Sequence, residues 1–319
     1  MNNPSSRGAV AALVSGLGNA FQWRLLLWWL LALWLPTLLV ALPLWSGLQA
    51  QWGQSPQAAA IAAAQDLPLW ADALVGMEGA MGGISIAAMF ATLLTLLLSP
   101  WLAGMVVASI RAGRRLGMGE LLHGGLSEYG RMFRMLLWSI LPLGIAVGLG
   151  LAALHLAGKN ADSAILASEV DNPKRIALVV LALLFVFAHM TIEAGRGWLG
   201  ANAGLRSVLR AWWRGTRLVL RRPLAALVVY LGTSVVAYAL AALFGIWRLN
   251  TSGAGIGGFL LGLLLAQLVF LALAWGRIAR LYGFADLAGA VTATPAAATA
   301  PVTNTDKYLS MQQGAPAST

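Results

Sequence analysis

His189 and Glu193 come nearest to a catalytic pair in this sequence, because they stand one helical turn apart. At i and i+4 they share a helix face and could form an ion pair or pass a proton. They lie near the end of the apolar run VVLALLFVFAHMTIEAGR. An ionisable group in such a run is a functional candidate by default, since burying it is costly. The plainer account is a glutamate at an interface, neutralised by Arg196 or a neighbouring arginine. His155 sits at the edge of another run, where a solvated imidazole needs no chemistry. Gln267 is the other deep polar group and reads as an interhelical hydrogen bond more readily than as a ligand.

Three histidines and no cysteine supply metal ligation poorly and exclude disulfides. There is no phosphate-binding loop, dinucleotide-binding glycine pattern, zinc-protease helix or nucleophile elbow. The expectation is no enzyme, no cofactor and no metal. An intramembrane lipid-modifying enzyme would require His189, Glu193 and Gln267 to meet at one cavity.

The densest charge lies elsewhere. The stretch RGWLGANAGLRSVLRAWWRGTRLVLRR, from Arg196 to Arg222, carries seven of the 21 basic residues. At about 100° per residue, Leu205, Val208, Leu209, Trp212, Trp213, Val219 and Leu220 share one broad helical face. Arg206, Arg210, Arg214, Arg217 and Arg221 share an adjoining stripe roughly 80° wide. Rings in the acyl boundary and guanidinium groups among phosphates describe an interfacial amphipathic helix on anionic lipid. A protein partner on the same face is the alternative. Nucleic acid is not expected, because the arginines are interleaved with apolar residues at bilayer depth.

Such a helix needs spans around it, and the composition supplies them. Of 319 residues only 10% are charged, against about 25% in soluble domains, and mean hydropathy is +0.77. Six runs approach the roughly 20 residues that a spanning helix needs: 25–45, 84–108, 135–157, 176–195, 223–247 and 257–280. The fold class expected is therefore an all-α integral membrane protein. It has an N-terminal interfacial segment (1–24), a six-span membrane domain (25–287) and a disordered Ala/Thr/Pro-rich cytoplasmic tail (288–319). In the first segment Val10, Leu13, Val14, Leu17 and Phe21 recur at helical spacing. A cleaved signal peptide is not expected, because the first run is too long.

The linker 46–83 contains Asp66, Asp72 and Glu78 and no basic residue. With six spans, 17 basic residues fall on the side of the N-terminus and four on the other. The positive-inside rule then places both termini in the cytoplasm. Trp23, Trp45, Trp138, Trp198, Trp247 and Trp275 sit near span ends as interfacial anchors. Trp28, Trp29 and Trp34 lie deeper, without an evident packing reason. Pro36, Pro43, Pro100 and Pro142 are expected to kink their spans. Gly144/Gly148 and Gly258/Gly262 have the spacing of close helix contacts.

An internal repeat is also visible. SIRAGRRLGMGELLHGGLSEYGRMFR (109–134) aligns with TIEAGRGWLGANAGLRSVLRAWWRGTR (191–217), matching Arg131 to Arg214 and Arg134 to Arg217. GLGNAFQWRLLLWW (16–29) echoes GLSEYGRMFRMLLW (125–138), and AWGRIARLYG (274–283) echoes the Ala-Gly-Arg exit. The economical reading is three units, each an interfacial helix, an outward span, an external linker and an inward span.

Six spans, GLRSVLRAWWRGTRLVLRRP after Glu193, and a last span ending ARLYGFADL resemble a diffuse bacterial superfamily. It includes YciC-like inner-membrane proteins and the membrane domain of some glycerophosphodiester phosphodiesterases. The likeness covers about residues 84–287 and implies a six-span inner-membrane fold. It carries over no catalytic residue. The expected function is a non-enzymatic membrane protein that organises anionic inner-leaflet lipid, or a protein partner at the cytoplasmic face. That face comprises Arg206, Arg210, Arg214, Arg217, Arg221, Trp212, Trp213, Arg131 and Arg134. A transporter or permease subunit working with a separate ATPase is the alternative.

Overall fold

Every span expected from the sequence is a helix, and each helix outruns its apolar run. The computed structural model describes residues 4–56, 71, 75–76, 78–159, 167–251 and 255–292. Within them lie α1 (Pro4–Asn19), α2 (Trp23–Trp52), α3 (Glu78–Ala112), α4 (Met118–Lys159), α5 (Ala167–Ala201), α6 (Val208–Arg221), α7 (Pro223–Leu249) and α8 (Gly255–Thr292). No strand occurs among the described residues. The long helices α2, α3, α4, α5, α7 and α8 are each apolar and long enough to cross a bilayer. The chain is an all-α, multi-pass membrane protein.

The burial pattern divides the molecule into two ends. On α5, Thr191 through Gly200 are buried without interruption, whereas from Asp171 to Phe187 only Ala177 is buried. On α3, Leu102 through Val107 are buried, while Ile86, Met89, Phe90, Leu93, Leu96 and Leu97 are exposed. On α8 the buried stretch is Leu281–Ala285, with Leu287 and Ala288. These three helices run in the same direction and converge at their C-terminal ends, where α5 packs on both α3 and α8. Around them α2 packs on α3, α4 on α3 and α5, and α7 on α8.

The short helices lie at this same end, which also carries most of the arginines. There α1 packs across α7 and α8, and α6 packs on α5. Both make close contacts through small residues. Ala9, Ala12, Gly16 and Ala20 are the buried face of the α1 segment, while Val10, Val14 and Phe21 are exposed. A Cβ at Gly16 would stand 2.6 Å from the Ala279 carbonyl oxygen of α8. A Cβ at Gly104 of α3 would stand 2.8 Å from the Gly125 carbonyl of α4. The Gly144/Gly148 spacing does not mediate such a contact, since a Cβ at either position meets nothing within 4 Å.

Pro36, Pro43, Pro100 and Pro142 all lie inside continuous helices. Another expectation needs adjustment. The stretch 118–134 is not a separate interfacial helix but the first turns of the 42-residue α4. The matching break between α6 and α7 has a local cause. Pro223 pushes the residue before it out of the helical region, and Arg222 has φ −132° and ψ 59°. No proline interrupts α4 before Pro142. The stretch from 293 onward, where most of the expected disordered tail lies, falls outside the described residues.

Candidate functional site

α6 has three longitudinal faces, each of different chemistry. At about 100° per residue, Val208, Ala211, Gly215, Thr216, Leu218 and Val219 turn to the protein and are buried. Leu209, Trp213 and Leu220 form an exposed apolar edge. Arg210, Arg214, Arg217 and Arg221 form an exposed basic edge beside it, with Arg206 just before the helix. Ser207 caps the helix, its hydroxyl accepting from the Arg210 backbone N–H at 3.4 Å. The single apolar face expected from the sequence is therefore split. Leu205, Val208 and Val219 pack inward, and Trp212 is half-buried, donating from Nε1 to the Thr191 hydroxyl at 3.2 Å.

What permits this seating is the crossing of α5 and α6 at two glycines. A Cβ at Gly215 would stand 2.8 Å from the Ala194 carbonyl carbon, and one at Gly195 would stand 3.0 Å from the Trp212 Cα. Trp198 lies about one turn nearer the C-terminal end of α5. Its ring meets the Arg214 guanidinium at 5.6 Å. Arg214 of the basic edge therefore lies toward the C-terminal end of α5, while Trp212 on the other side of α6 reaches back to Thr191.

Beneath this surface lies a buried ion cluster. Glu193 is fully buried and accepts from Arg196 Nη1 at 2.6 Å; Arg280 Nε of α8 lies 3.9 Å from its other carboxylate oxygen. His189 Nε2 stands 4.0 Å from Glu193, and its Nδ1 is 2.9 Å from the Tyr230 hydroxyl of α7. Arg280 also lies over the Tyr230 ring and donates to Ser234 Oγ at 3.1 Å. The glutamate is thus neutralised by Arg196, as the plainer sequence account held, with a second arginine added from α8. Gln267 does not join it. It accepts from Trp34 Nε1 of α2 at 2.9 Å, about 20 Å up the helix from Arg280 at 1.5 Å per residue. The three groups that an intramembrane enzyme would need do not converge.

Several participants were not visible in the sequence as site residues. Arg277 and Arg280, at the very end of the last span expected from the sequence, lie well inside α8 because that helix continues to Thr292. Arg277 donates to Ser99 Oγ of α3 at 3.1 Å and lies over the Trp29 ring of α2. Glu128 of α4 is buried and bonds both Arg131 and Arg111 Nη1, the latter at 2.5 Å. Arg131 is therefore tied to an internal carboxylate, while Arg134 is exposed and donates Nε to the Gly130 carbonyl at 3.1 Å. Tyr282, Ser109 and Gln22 close a third polar contact between α8, α3 and the start of α2.

The deep tryptophans also find their packing here. Trp28 donates to the Met118 carbonyl at 3.3 Å and meets Trp101 edge-on at 5.7 Å. Trp29 lies under Arg277 and Trp34 holds Gln267. Of the presumed anchors, Trp23, Trp45 and Trp247 are exposed. Trp138 instead packs on Trp212, and Trp198 is buried.

Fold and site together define a class: a six-span α-helical membrane protein with buried ion clusters and an amphipathic arginine helix at one end. No family model, curated protein or solved structure matches the chain.

Proposed function

We propose that the protein is a non-enzymatic component of the bacterial inner membrane that organises anionic lipid through α6. The division of α6 into a small-residue protein face, an exposed apolar edge and an exposed arginine edge carries this reading. A helix with a protein partner on both exposed edges would not need Leu209, Trp213 and Leu220 aligned beside Arg210, Arg214, Arg217 and Arg221. A membrane surface needs that alignment, with apolar side chains in the acyl boundary and guanidinium groups at phosphate depth. The arginine-rich end is cytoplasmic on this reading, with both termini there, by the 17-to-four distribution of basic residues. The resemblance to YciC-like membrane proteins points the same way and adds no chemistry.

A transporter is the weaker alternative. The buried carboxylates are each paired with an arginine, Glu193 with Arg196 and Glu128 with Arg111, which is what structural burial requires.

Lipid retention by the full-length protein tests the reading. Protein extracted from native membranes is expected to retain phosphatidylglycerol and cardiolipin above their bulk fraction. Changing Arg206, Arg210, Arg214, Arg217 and Arg221 together to Gln should abolish that enrichment and leave the protein membrane-inserted. Unaltered enrichment in the variant would sink the proposal and turn attention to a protein partner.

A further inference from the structure

The basic edge of α6 contains a pocket. Arg214, Arg217, Arg221 and Arg222 line a cavity of about 310 Å3, together with Trp198 of α5 and Val291 of α8. Arg214 is steadied against the Trp198 ring and Arg217 against the Trp213 ring, each at 5.6 Å. Arg206 and Arg210 do not line it. Among the described residues, none of the four arginines has a carboxylate within 4.0 Å.

Like charges one and two helical turns apart repel, and these four converge on one concavity without a counter-charge among the described residues. Each guanidinium presents five N–H donors and a fixed positive charge. A single phosphodiester has one negative charge and two free oxygens, too few to answer four such groups. We propose that this pocket binds a phosphate group, or a pair of them, carrying at least two negative charges in one head. This rests on the reading of α6 as a lipid face and sharpens it from a surface field to one discrete site. The site lies on the end-ward side of the α5–α6 crossing, on the edge beside the apolar one, which on the lipid-face reading is the depth of headgroups. Arginine suits the task because its planar fork meets phosphate oxygens two at a time. The same chemistry is offered by a lipid headgroup and by a free phosphate anion.

Native mass spectrometry of the full-length protein in non-ionic detergent separates the possibilities. Cardiolipin or phosphatidic acid is expected to give one saturable adduct, with phosphatidylglycerol roughly tenfold weaker or more and phosphatidylcholine absent. Arg214→Gln with Arg221→Gln should weaken cardiolipin binding by roughly tenfold or more. Arg114→Gln with Arg115→Gln removes the same charge at the same end, outside both the pocket and the α6 face, and should leave the adduct in place. Arg214→Lys with Arg221→Lys keeps the charge, loses the fork and should fall between them. Inorganic pyrophosphate that displaces cardiolipin at concentrations equal to the lipid's own affinity assigns the pocket to a free anion. Displacement only at far higher concentration assigns it to a lipid headgroup. Equal losses in the two Gln pairs, or adducts that grow with total lipid charge and never saturate, would overturn the discrete site and leave the surface reading standing. No preference for anionic lipid in the unaltered protein overturns both.

Discussion

Glu193 binds together helices that the sequence separates by long distances. Its carboxylate bonds Arg196 of its own helix and faces Arg280 from α8, and His189 beside it reaches Tyr230 of α7. A buried ion pair broken on one side leaves an uncompensated charge, which costs about 3–5 kcal/mol. Glu193→Gln is therefore expected to lower the unfolding free energy by about that amount, read from thermal or denaturant melting in detergent. The exposed pair Arg114–Glu120, at 2.6 Å, provides the contrast. Glu120→Gln should shift the melting temperature far less, because solvent already stabilises both charges. If the two variants melt alike, Glu193 does not tie the helices together. Half of this was legible beforehand: the i,i+3 and i,i+4 spacings announced Arg196 and His189. Arg280 was not, since it lies 87 residues further along the chain (280 − 193) and no local pattern encodes such a pairing. Glu128 and Arg111 were missed for the same reason, coming from different helices.

α6 is held to α5 by an absence of side chains. A Cβ at Gly215 would collide with the backbone of Ala194 and Gly195, which is buried helix and cannot yield. Gly215→Val should push α6 off its seat and break the bond from Trp212 to Thr191. Limited proteolysis at the α6–α7 junction is expected to become faster, with the six spans intact. Gly130→Ala is the control, since a Cβ there meets nothing within 4 Å; equal protection of the two variants would refute the close crossing. The sequence showed α6 as two faces because hydropathy records only apolar against charged. The protein-facing side has small residues, Ala211, Gly215 and Thr216, set among Val208, Leu218 and Val219; the small ones carry little hydropathy signal and their role is closeness. The three-unit repeat expected from the sequence belongs to this scale as well. α1 packs on α8, α4 on α3, and α6 on α5, so the leading segment of each expected unit rests on one of the three helices that share a direction. Yet matched residues differ in partner: Arg131 bonds Glu128, whereas Arg214 lies on Trp198.

At the scale of the molecule, orientation is the property that composition predicts and helix geometry leaves open. Substituted-cysteine labelling is direct because the chain has no native cysteine. In intact spheroplasts an impermeant maleimide should modify Gln54→Cys, at the far end of α2. It should spare Arg115→Cys, in the turn between α3 and α4, until the membrane is opened. The reverse pattern would invert the topology and place α6 on the outer leaflet. The span count was readable because runs of about 20 apolar residues have few other fates. The helix ends were not, because α8 and α4 continue as helix well past their apolar stretches, carrying charges that pair inside the protein.

The uneven burial along the spans has a mechanical consequence. Close packing and ion pairs hold α3, α5 and α8 together at the arginine end, while their opposite halves present Leu, Ile and Phe outward. A bilayer that thickens or thins must be met by tilting hydrophobic segments, at a cost of fractions of a kcal/mol per Å. Here the tilting falls to the loosely packed halves, pivoting about a clamped base. One leaflet would then set the protein's anchorage and the other its splay, so that changes in acyl-chain length are felt by the far halves of the spans while α6 keeps its place.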